Sequence, residues 1–207
     1  MKKLIAQGAE AKIYLENNEI SKERIQKSYR LPELDEKIRK ARTRQECRIL
    51  SRANKFANVP KVLNADKKGF PNDKFNLKIE FIKGDRLSET LNNYKEKKQL
   101  EIMKQLGNQV ALLHKNEIIH GDLTTSNVIL SNSSNKIFII DFGLGFISKK
   151  IEDKGVDLHL IKQALEAKHF QNWKTLFDEF LKGYNLEDKD KVLERLKAIE
   201  KRGRYRH

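Results

Sequence analysis

The stretch IIHGDLTTSNVILSNSSNKIFIIDFGLGF, residues 118–146, decides how this chain should fold. Three short apolar runs within it, 118–119, 128–130 and 137–140, predict β-strands separated by polar loops and turns. Asp122, Asn127 and Asp141 lie at the ends of these runs. Because a rigid sheet holds its strand ends in place, such positions are where proteins often carry chemistry. We therefore expect these three side chains to meet.

Their chemistry suits a divalent cation. Two carboxylates and an amide provide hard oxygen ligands, which Mg²⁺ prefers together with phosphate or water. The pattern H-x-D-x-x-x-x-N at 120–127, followed by D-F-G at 141–143, resembles the signature pair of protein kinases. By that resemblance Asp122 orients the nucleophile or accepts its proton, and Asn127 and Asp141 hold the metal. The alternative is a β-hairpin with solvated polar turns.

Composition limits the class of protein. A chain of 207 residues allows one large domain or two small lobes. Its 43 Lys and Arg exceed its 29 Asp and Glu, and the net charge of +14 favours polyanionic partners such as nucleic acid. Cys47 is the single cysteine, which excludes an internal disulfide and fits a reducing compartment. The sequence has no long apolar run and no secretory signal, so we expect a cytoplasmic protein without a membrane partner.

The first 25 residues predict three strands, at 4–5, 11–15 and 19–25, with a hairpin turn at Asn17-Asn18. The turn before the second strand is rich in small residues, a composition that lets backbone N–H groups approach phosphate oxygens. We take this turn as a candidate nucleotide-binding loop, and an ordinary tight turn is the alternative. Its residues are Gln7, Gly8, Ala9, Glu10 and Ala11.

Lys22 is the candidate phosphate-binding lysine, because it shares a strand face with Ile20. Lys27, just beyond the strand, is its rival. A helix opening at Leu31-Pro32 is predicted to carry Glu46 inward toward Lys22. Pairing of Glu46 with Arg39 or Arg42 at the surface is the alternative. The apolar stripe of this helix is predicted at Leu34, Ile38, Ala41, Ile49, Leu50 and Ala53.

Further elements follow in order. We predict strands at 59–63 and 77–82, with backbone groups of Glu80, Phe81 and Ile82 available to an adenine edge. Helices are expected at 88–92 and 98–114, from Asp157 onward, at 170–184 and at 188–200. The basic helix, which holds Lys37, Arg39, Lys40, Arg42, Arg44, Arg48 and Arg52, and the tail at 201–207 are solvated or contact RNA.

Taken together, the chain resembles the PRPK-type atypical small kinases of the KEOPS tRNA-modification complex. The motifs that carry the likeness are QGAEA at 7–11, KERIQKSYRLPELD at 22–35, TRQEC at 43–47, HGDLTTSN at 120–127, DFGLGF at 141–146, EDKGVDL at 152–158 and KRGRYR at 201–206. The resemblance implies an α+β, two-lobed protein-kinase-like fold. Its antiparallel-sheet N-lobe would span 1–82, its reduced helical C-lobe 83–200 and its basic tail 201–207.

The resemblance also implies roles. Lys22 would contact the α- and β-phosphates of ATP and pair with Glu46, and Asp122 would be the catalytic aspartate. Asn127 and Asp141 would hold Mg²⁺, and Asp157 would brace the catalytic loop. The protein would act as a kinase or ATPase beside an ASKHA-fold subunit and other KEOPS subunits, supporting threonylcarbamoyladenosine formation in tRNA.

Two departures from most kinases argue against a general protein substrate: Gly121 stands in place of an arginine, and no A-P-E segment follows the D-F-G motif. Three alternatives stay open. They are a small-molecule phosphotransferase of the aminoglycoside or choline kinase type, a RIO-like kinase, and a nucleotide-binding scaffold without catalysis.

Overall fold

The computed structural model describes residues 2–204, and for residues 203 and 204 it describes the backbone alone. The chain forms two compact units. The first runs to Ile82 without Phe56–Asn58, and the second consists of Phe56–Asn58 and the described chain from Lys83 onward. An antiparallel sheet comes first and helices dominate later, so the predicted α+β class is confirmed. No helix within residues 2–204 is both long and apolar enough to cross a bilayer.

The sheet of the first unit has four antiparallel strands in the order β1-β2-β3-β4. They are β1 (Lys3–Gln7), β2 (Ala11–Glu16), β3 (Glu19–Arg24) and β4 (Asn76–Glu80). Asn17 and Asn18 connect β2 to β3 with φ angles of 49° and 63°. Two consecutive left-handed residues are what a tight two-residue hairpin turn requires, and asparagine tolerates them well.

The helix of the first unit, α1 (Pro32–Ala53), begins with proline in its first turn, where no N–H is needed. Its predicted apolar stripe is only half right. Leu34 is exposed, as is Ala41, while Asp35 and Thr43 are buried in their place. The N-terminal half buries a carboxylate because Asp35 binds Arg39 at 2.6 Å and also contacts Arg30.

The predicted strand at 59–63 is wrong, because the segment makes only an isolated bridge between Val62 and Ile79. The N–H of Lys61, which faces β4, donates to the side-chain Oε2 of Glu80 at 3.3 Å. Beyond it, the side chain of Asn64 takes over ladder positions by accepting from Lys78 N and donating to Asn76 O. The segment therefore follows β4 without becoming a strand.

The second unit contains two small sheets, ordered β5-β7-β8 and β6-β9. Their strands are β5 (Gly84–Arg86), β6 (Ile118–Ile119), β7 (Val128–Ser131), β8 (Ile137–Ile139) and β9 (Phe146–Ile147). All pairings are antiparallel, and β7 pairs with both β5 and β8. This arrangement fixes the loops at 120–127 and 140–145, where the predicted functional residues lie.

The helices of this unit are α2 (Leu87–Thr90), α3 (Glu96–Lys115), α4 (Ile151–Lys168), α5 (Trp173–Gly183) and α6 (Lys189–Arg204). Helix α4 begins six residues before the predicted start at Asp157. Glu152 and Asp153 in its first turn favour that start through the helix dipole. Gly155 then lies inside the helix, where a Cβ would approach Ile199 Cδ1 to 3.0 Å, so glycine permits close packing on α6.

The predicted boundary of the basic tail at residue 201 does not coincide with a structural boundary. Helix α6 continues through Lys201 and Arg202 to Arg204, and Arg202 contacts Glu152 at 3.0 Å. Lysine and arginine are good helix formers, so they extend the helix without an apolar face of their own. Tyr205, Arg206 and His207, the remainder of the predicted tail, lie outside the described residues.

Candidate active site

In the second unit, the loop that follows β6 brings Asp122 and Asn127 together. The Nδ2 amide of Asn127 donates to the backbone O of Asp122 at 2.8 Å and to its Oδ2 at 3.0 Å. Both amide hydrogens of Asn127 are thereby directed toward Asp122. The amide oxygen of Asn127 remains as the group that can meet a cation.

Ile140 links this loop to the end of β8. Its N–H donates to Asn127 O at 2.9 Å, and its carbonyl accepts from His120 Nε2 at 3.0 Å. The Nδ1 of His120 in turn accepts from the N–H of Asp122 at 3.2 Å. His120 is therefore the Nε2–H tautomer, as these two partners require. Because Asp141 follows Ile140 directly, the structure brings Asp141 beside the loop that carries Asp122 and Asn127.

Asp141 has a left-handed backbone, with φ at 61°. Its Oδ1 accepts from Gly143 N at 3.2 Å, which stabilises this bend locally. Phe142 is fully buried and its ring lies 4.7 Å from that of His120. A non-glycine residue at positive φ is costly, and such strain concentrates at functional sites.

Asp157 of α4 holds the backbone of the loop at 120–127. Its Oδ2 accepts from His120 N at 2.7 Å, and its Oδ1 accepts from Gly121 N at 2.8 Å. His114 Nε2, 3.1 Å from Oδ2, donates a third hydrogen bond. Burial would raise the pKa of Asp157, but its interactions with His114 and His120, the hydrogen bond to His114 first among them, outweigh burial and hold that pKa below its usual range. The carboxylate therefore stays ionised and keeps the loop backbone fixed.

The sequence analysis missed two members of this network. His114 lies on the buried face of α3, and Tyr184 Oη is 2.7 Å from its Nδ1. Burial raises the pKa of Tyr184, so its hydroxyl stays protonated. The helical periodicity of α3, which places His114 one turn after Val110, was the signal that would have identified it as a core residue.

Gly121 is required by the backbone it adopts. Its φ is +78°, and a Cβ at this position would lie 2.5 Å from the carbonyl O of Leu144. No other residue fits there without moving the backbone of the neighbouring loop. The replacement of the usual kinase arginine by Gly121 thus has a steric cause in this chain.

The donor set of the second unit fits Mg²⁺. Asn127 offers an amide oxygen and Asp141 offers a carboxylate, whose Oδ1 also accepts from Gly143 N. These are hard oxygen ligands, and two of them suffice for an ion that keeps phosphate or water in its remaining positions. Among residues 2–204, no cluster of three or more His, Cys, Asp and Glu side chains offers a different metal site.

In the first unit, Lys22 and Glu46 form a buried ion pair, with 2.8 Å between Nζ and Oε1. Arg24, two residues along β3, binds the other carboxylate oxygen of Glu46. The side chain of Glu46 is 1% exposed, so one buried carboxylate joins two cations of the same strand. The alternative partners of Glu46 bind elsewhere: Arg39 to Asp35 and Arg42 to Glu10. Arg24 is a member that the sequence analysis did not identify.

The small-residue turn joins β1 to β2, and Gly8 N donates to Ala11 O at 3.0 Å. Lys27, the rival lysine, donates its Nζ to Ala9 O and thus supports this turn. Burial would raise the pKa of Glu10, but Arg42 and Arg30 outweigh it and lower that pKa. A Cβ on Gly8 would meet nothing closer than Ala11 O at 4.0 Å. The fold itself therefore does not require glycine at this exposed position.

Glu80, Phe81 and Ile82 lie at the end of β4 and directly after it. The N–H of Glu80 donates to Lys61 O at 2.9 Å, so that donor already has a partner. Recognition of adenine by the remaining backbone groups of residues 80–82 stays a prediction.

The chain is similar to known proteins over most of its length. The protein kinase domain family matches residues 1–162. The chain is 46% identical over 219 residues to the KEOPS complex subunit Bud32 of Pyrococcus abyssi, covering 99% of this chain and 96% of that protein. It is 40% identical over 208 residues to a probable bifunctional tRNA threonylcarbamoyladenosine biosynthesis protein of Methanococcus vannielii, covering 98% of this chain and 36% of that protein.

One solved structure, described as WaaP in complex with acyl carrier protein, has a similar fold. Its TM-score is 0.61 at 12% identity, and the match covers 98% of this chain and 88% of that one. At that identity the likeness concerns the fold alone.

Proposed function

We propose a function for this chain from its family: it belongs to the protein kinase domain family and, within it, to the KEOPS subunit Bud32 family. On that premise the chain is an ATP-dependent phosphotransferase, acting as a kinase or ATPase. We propose that it works within a KEOPS complex and supports threonylcarbamoyladenosine formation in tRNA, the process named for the Methanococcus vannielii relative. Residues 1–82 and 83–200 are proposed as its N- and C-terminal lobes.

The single observation that supports this proposal most is the link through Ile140. Ile140 donates its N–H to Asn127 O and accepts from His120 Nε2, and these two bonds connect the Asp122 loop to the strand end that carries Asp141. Phosphoryl transfer needs little covalent chemistry from the protein and depends on positioned charges. A hydrogen-bonded arrangement of Asp122, Asn127 and Asp141 supplies such positioning.

In the proposed reaction, Asp122 accepts the proton of the attacking hydroxyl or water, or orients that group. Asn127 fixes the rotamer of Asp122 through the 3.0 Å bond to Oδ2. Asp141 and the amide oxygen of Asn127 would hold Mg²⁺, which when bound neutralises charge on the phosphates. Lys22, held by Glu46, contributes positive charge toward the α- and β-phosphates, and the turn at residues 7–11 contributes backbone N–H groups.

The short segment after Gly143 bears on the choice of nucleophile. Only residues 144–150 separate the D-F-G motif from α4, and β9 occupies two of them. Little chain is left to form a docking surface for a peptide substrate. We therefore propose that ATP hydrolysis, or phosphorylation of a protein held within the complex, is the main reaction.

The proposed partners are an ASKHA-fold threonylcarbamoyladenosine synthase subunit, other KEOPS subunits and tRNA. The net charge of +14 supports a polyanionic partner. For tRNA we propose contacts by the basic tail at 201–207 and by the basic helix α1. A cytoplasmic location is also proposed, supported by the single, buried Cys47.

The tail contact is tested by comparing chains that end at Glu200 and at Arg204 with the full chain. Loss of phosphate contacts should lower the slope of log affinity for tRNA against log salt by about 0.7 to 0.9 per contact. Because Arg202 also contacts Glu152, the thermal midpoint of each truncated chain is measured as a control. An unchanged slope in both truncations would remove the tail from the proposal.

ATP turnover by the purified chain, alone and with reconstituted KEOPS subunits, tests the proposed function. We expect Mg²⁺-dependent ADP release that rises with the partner subunits and with tRNA. Phosphorylation of an aminoglycoside or of choline at a higher rate would favour the small-molecule alternative. Nucleotide binding without turnover under all conditions would favour a scaffold.

A further inference from the structure

A basic groove of about 590 Å³ lies within the first unit, between the end of α1 and the turn at residues 65–70. We infer that this groove binds the phosphodiester backbone of an RNA. Its lining residues include six cations and a single carboxylate: Arg48, Arg52, Lys55, Lys61, Lys67 and Lys68 against Asp66. The inference deepens the proposed function, on which it rests for the choice of RNA as the polyanion.

The turn that carries Lys67 and Lys68 is rigid. Asp66 N donates to Phe70 O at 2.8 Å, and Gly69 N donates to Asp66 O at 3.0 Å. Asp66 Oδ1 accepts from the N–H groups of Lys68 and Phe70, each at 2.8 Å. Gly69 has a φ of +78°, which closes the turn. The two lysines are therefore presented by a fixed backbone, which reduces the entropy lost on binding.

Helix α1 holds this turn from the other side. The Cys47 thiol, buried in the helix, donates to Gly69 O at 3.2 Å. The guanidinium groups of Arg44 and Arg48 lie 5.2 and 6.0 Å from the centre of the Phe70 ring, within cation–π range. The helix and the turn thus pack against each other and form one continuous surface, and the groove is the concave part of that surface.

The charge of the groove is unbalanced. Its lysines, all exposed, form no ion pair with any carboxylate of residues 2–204: Lys55, Lys61, Lys67 and Lys68. The single carboxylate, Asp66, is engaged by backbone N–H groups of its own turn. Elsewhere on α1, Arg39 and Arg42 are neutralised by Asp35 and Glu10. The four lysines therefore give the groove positive charge that no carboxylate of the described residues balances.

The chemistry of the lining favours a nucleic-acid backbone over an acidic protein. Phosphate contacts are made by Lys and Arg together with Ser and Asn, and Ser51 and Asn54 line the same groove. Protein interfaces have an apolar, often aromatic centre. Here only Val62 and Ala65 contribute apolar side chains to the lining. A wet, cationic and weakly apolar groove suits successive phosphates.

The test replaces the four groove lysines together by glutamine: Lys55, Lys61, Lys67 and Lys68. The matched control replaces four exposed lysines of the second unit in the same way: Lys97, Lys136, Lys168 and Lys197. Both variants lose four positive charges, so the difference between them reports position and not net charge. Each is titrated against a fluorescent tRNA transcript from 50 to 300 mM KCl, without ATP.

We expect the groove variant to lose about tenfold or more in affinity near 0.1 M salt, and its log–log salt slope to fall by about 3. The control should change much less. Equal losses in the two variants, or an unchanged slope in the groove variant, would overturn the inference. Binding of polyglutamate that falls as much as binding of tRNA would assign the groove to an acidic protein surface instead and would also overturn it.

Failure of this inference can be told apart from failure of the proposed function. Because the binding assay contains no ATP, tRNA affinity is measured whether or not the chain hydrolyses ATP. Basal ATP turnover without RNA should be the same in the groove variant and the wild type, because none of the four lysines belongs to the proposed catalytic set. Loss of basal turnover in the groove variant, with its thermal midpoint unchanged, would overturn the separation of the two sites.

Discussion

The side-chain amide of Asn127 donates to the carboxylate of Asp122, with 3.0 Å between Nδ2 and Oδ2. One residue would thereby serve two purposes in the proposed site: its nitrogen holds Asp122, the proposed catalytic aspartate, and its oxygen would be a ligand of Mg²⁺. The two purposes can be separated by substitution, because aspartate retains the oxygen ligand and loses the donor.

We expect Asn127→Asp to retain Mg·ATP binding and Asn127→Ala to weaken it, while both lose about 10²-fold in turnover. The second carboxylate of Asn127→Asp repels Asp122 instead of holding it. Binding of a fluorescent ATP analogue across a Mg²⁺ series, together with ADP release, measures both quantities. Asn132→Ala, at an exposed position, is the control. Full turnover by Asn127→Asp would show that the amide donor is dispensable.

The buried pair of Lys22 and Glu46 should behave as one unit. We expect Lys22→Ala and Glu46→Ala each to lower turnover, and the double variant to lose little more than either alone, because each residue holds the other. Lys27→Ala should cost less turnover, since Lys27 contacts the carbonyl of Ala9 and not Glu46. A loss of turnover in the double variant equal to the product of the losses in the two single variants would argue against a shared function.

The free energy of unfolding provides a second test of the cluster formed by Lys22, Arg24 and Glu46. Glu46→Ala leaves Lys22 and Arg24 as buried cations without their carboxylate. Removal of one partner of a buried ion pair typically costs about 3–5 kcal/mol. We expect Arg24→Ala to restore part of the stability lost in Glu46→Ala, which urea unfolding of the single and double variants would reveal. A double variant less stable than Glu46→Ala would contradict this arrangement.

The contribution of Asp157 to the stability of the folded chain should depend on pH. Its pKa in the folded chain lies below the ordinary value of about 3.9, so the unfolded chain binds a proton first as the pH falls. The stabilisation is therefore complete above about pH 4 and is lost as the pH drops through the lower, folded-state pKa. We expect Asp157→Asn to be about 2–4 kcal/mol less stable than wild type at pH 7. The difference should shrink below pH 4 in urea unfolding, and a constant difference down to pH 2 would contradict the assignment.

Substitution of two glycines by alanine separates an effect on the stability of the fold from an effect on ATP binding. Gly121→Ala forces a Cβ to within 2.5 Å of Leu144 O at a positive φ, so we expect a loss of about 1–3 kcal/mol and of turnover. The Cβ of Gly8→Ala meets nothing closer than Ala11 O at 4.0 Å, so the unfolding free energy should stay within about 0.5 kcal/mol of wild type while ATP affinity falls. Unchanged ATP affinity in Gly8→Ala would remove the 7–11 turn from the nucleotide site.

Much of the site could be predicted because its motifs are local. The motif at 120–127 ends where β7 begins, and the D-F-G motif follows β8, the strand that pairs with β7. Because the two strands are close in sequence, the sequence alone indicates that the motifs are near each other. The bracing of the loop by Asp157, which accepts from His120 N, was expected only by resemblance, because α4 is distant along the chain. His114 and Tyr184 are 70 residues apart, and no local pattern connects them.

The errors in the fold have local physical causes. The strand expected at 59–63 does not form because the side chains of Glu80 and Asn64 take hydrogen bonds that a backbone ladder would use. The stripe of α1 was assigned on the rule that apolar residues are buried. That rule fails near Asp35, which is buried because Arg39 and Arg30 bind it.

The most direct test of the central claim compares Asp122→Ala with Asp141→Ala in Mg²⁺-dependent ATP turnover and in nucleotide affinity, with folding of both variants verified by their thermal midpoints. We expect each to lose about 10²-fold or more in turnover. Asp122→Ala should bind Mg·ATP almost as tightly as wild type, because Asp122 acts on the nucleophile, whereas Asp141→Ala should bind it more weakly. Turnover by Asp122→Ala within tenfold of wild type would contradict the account.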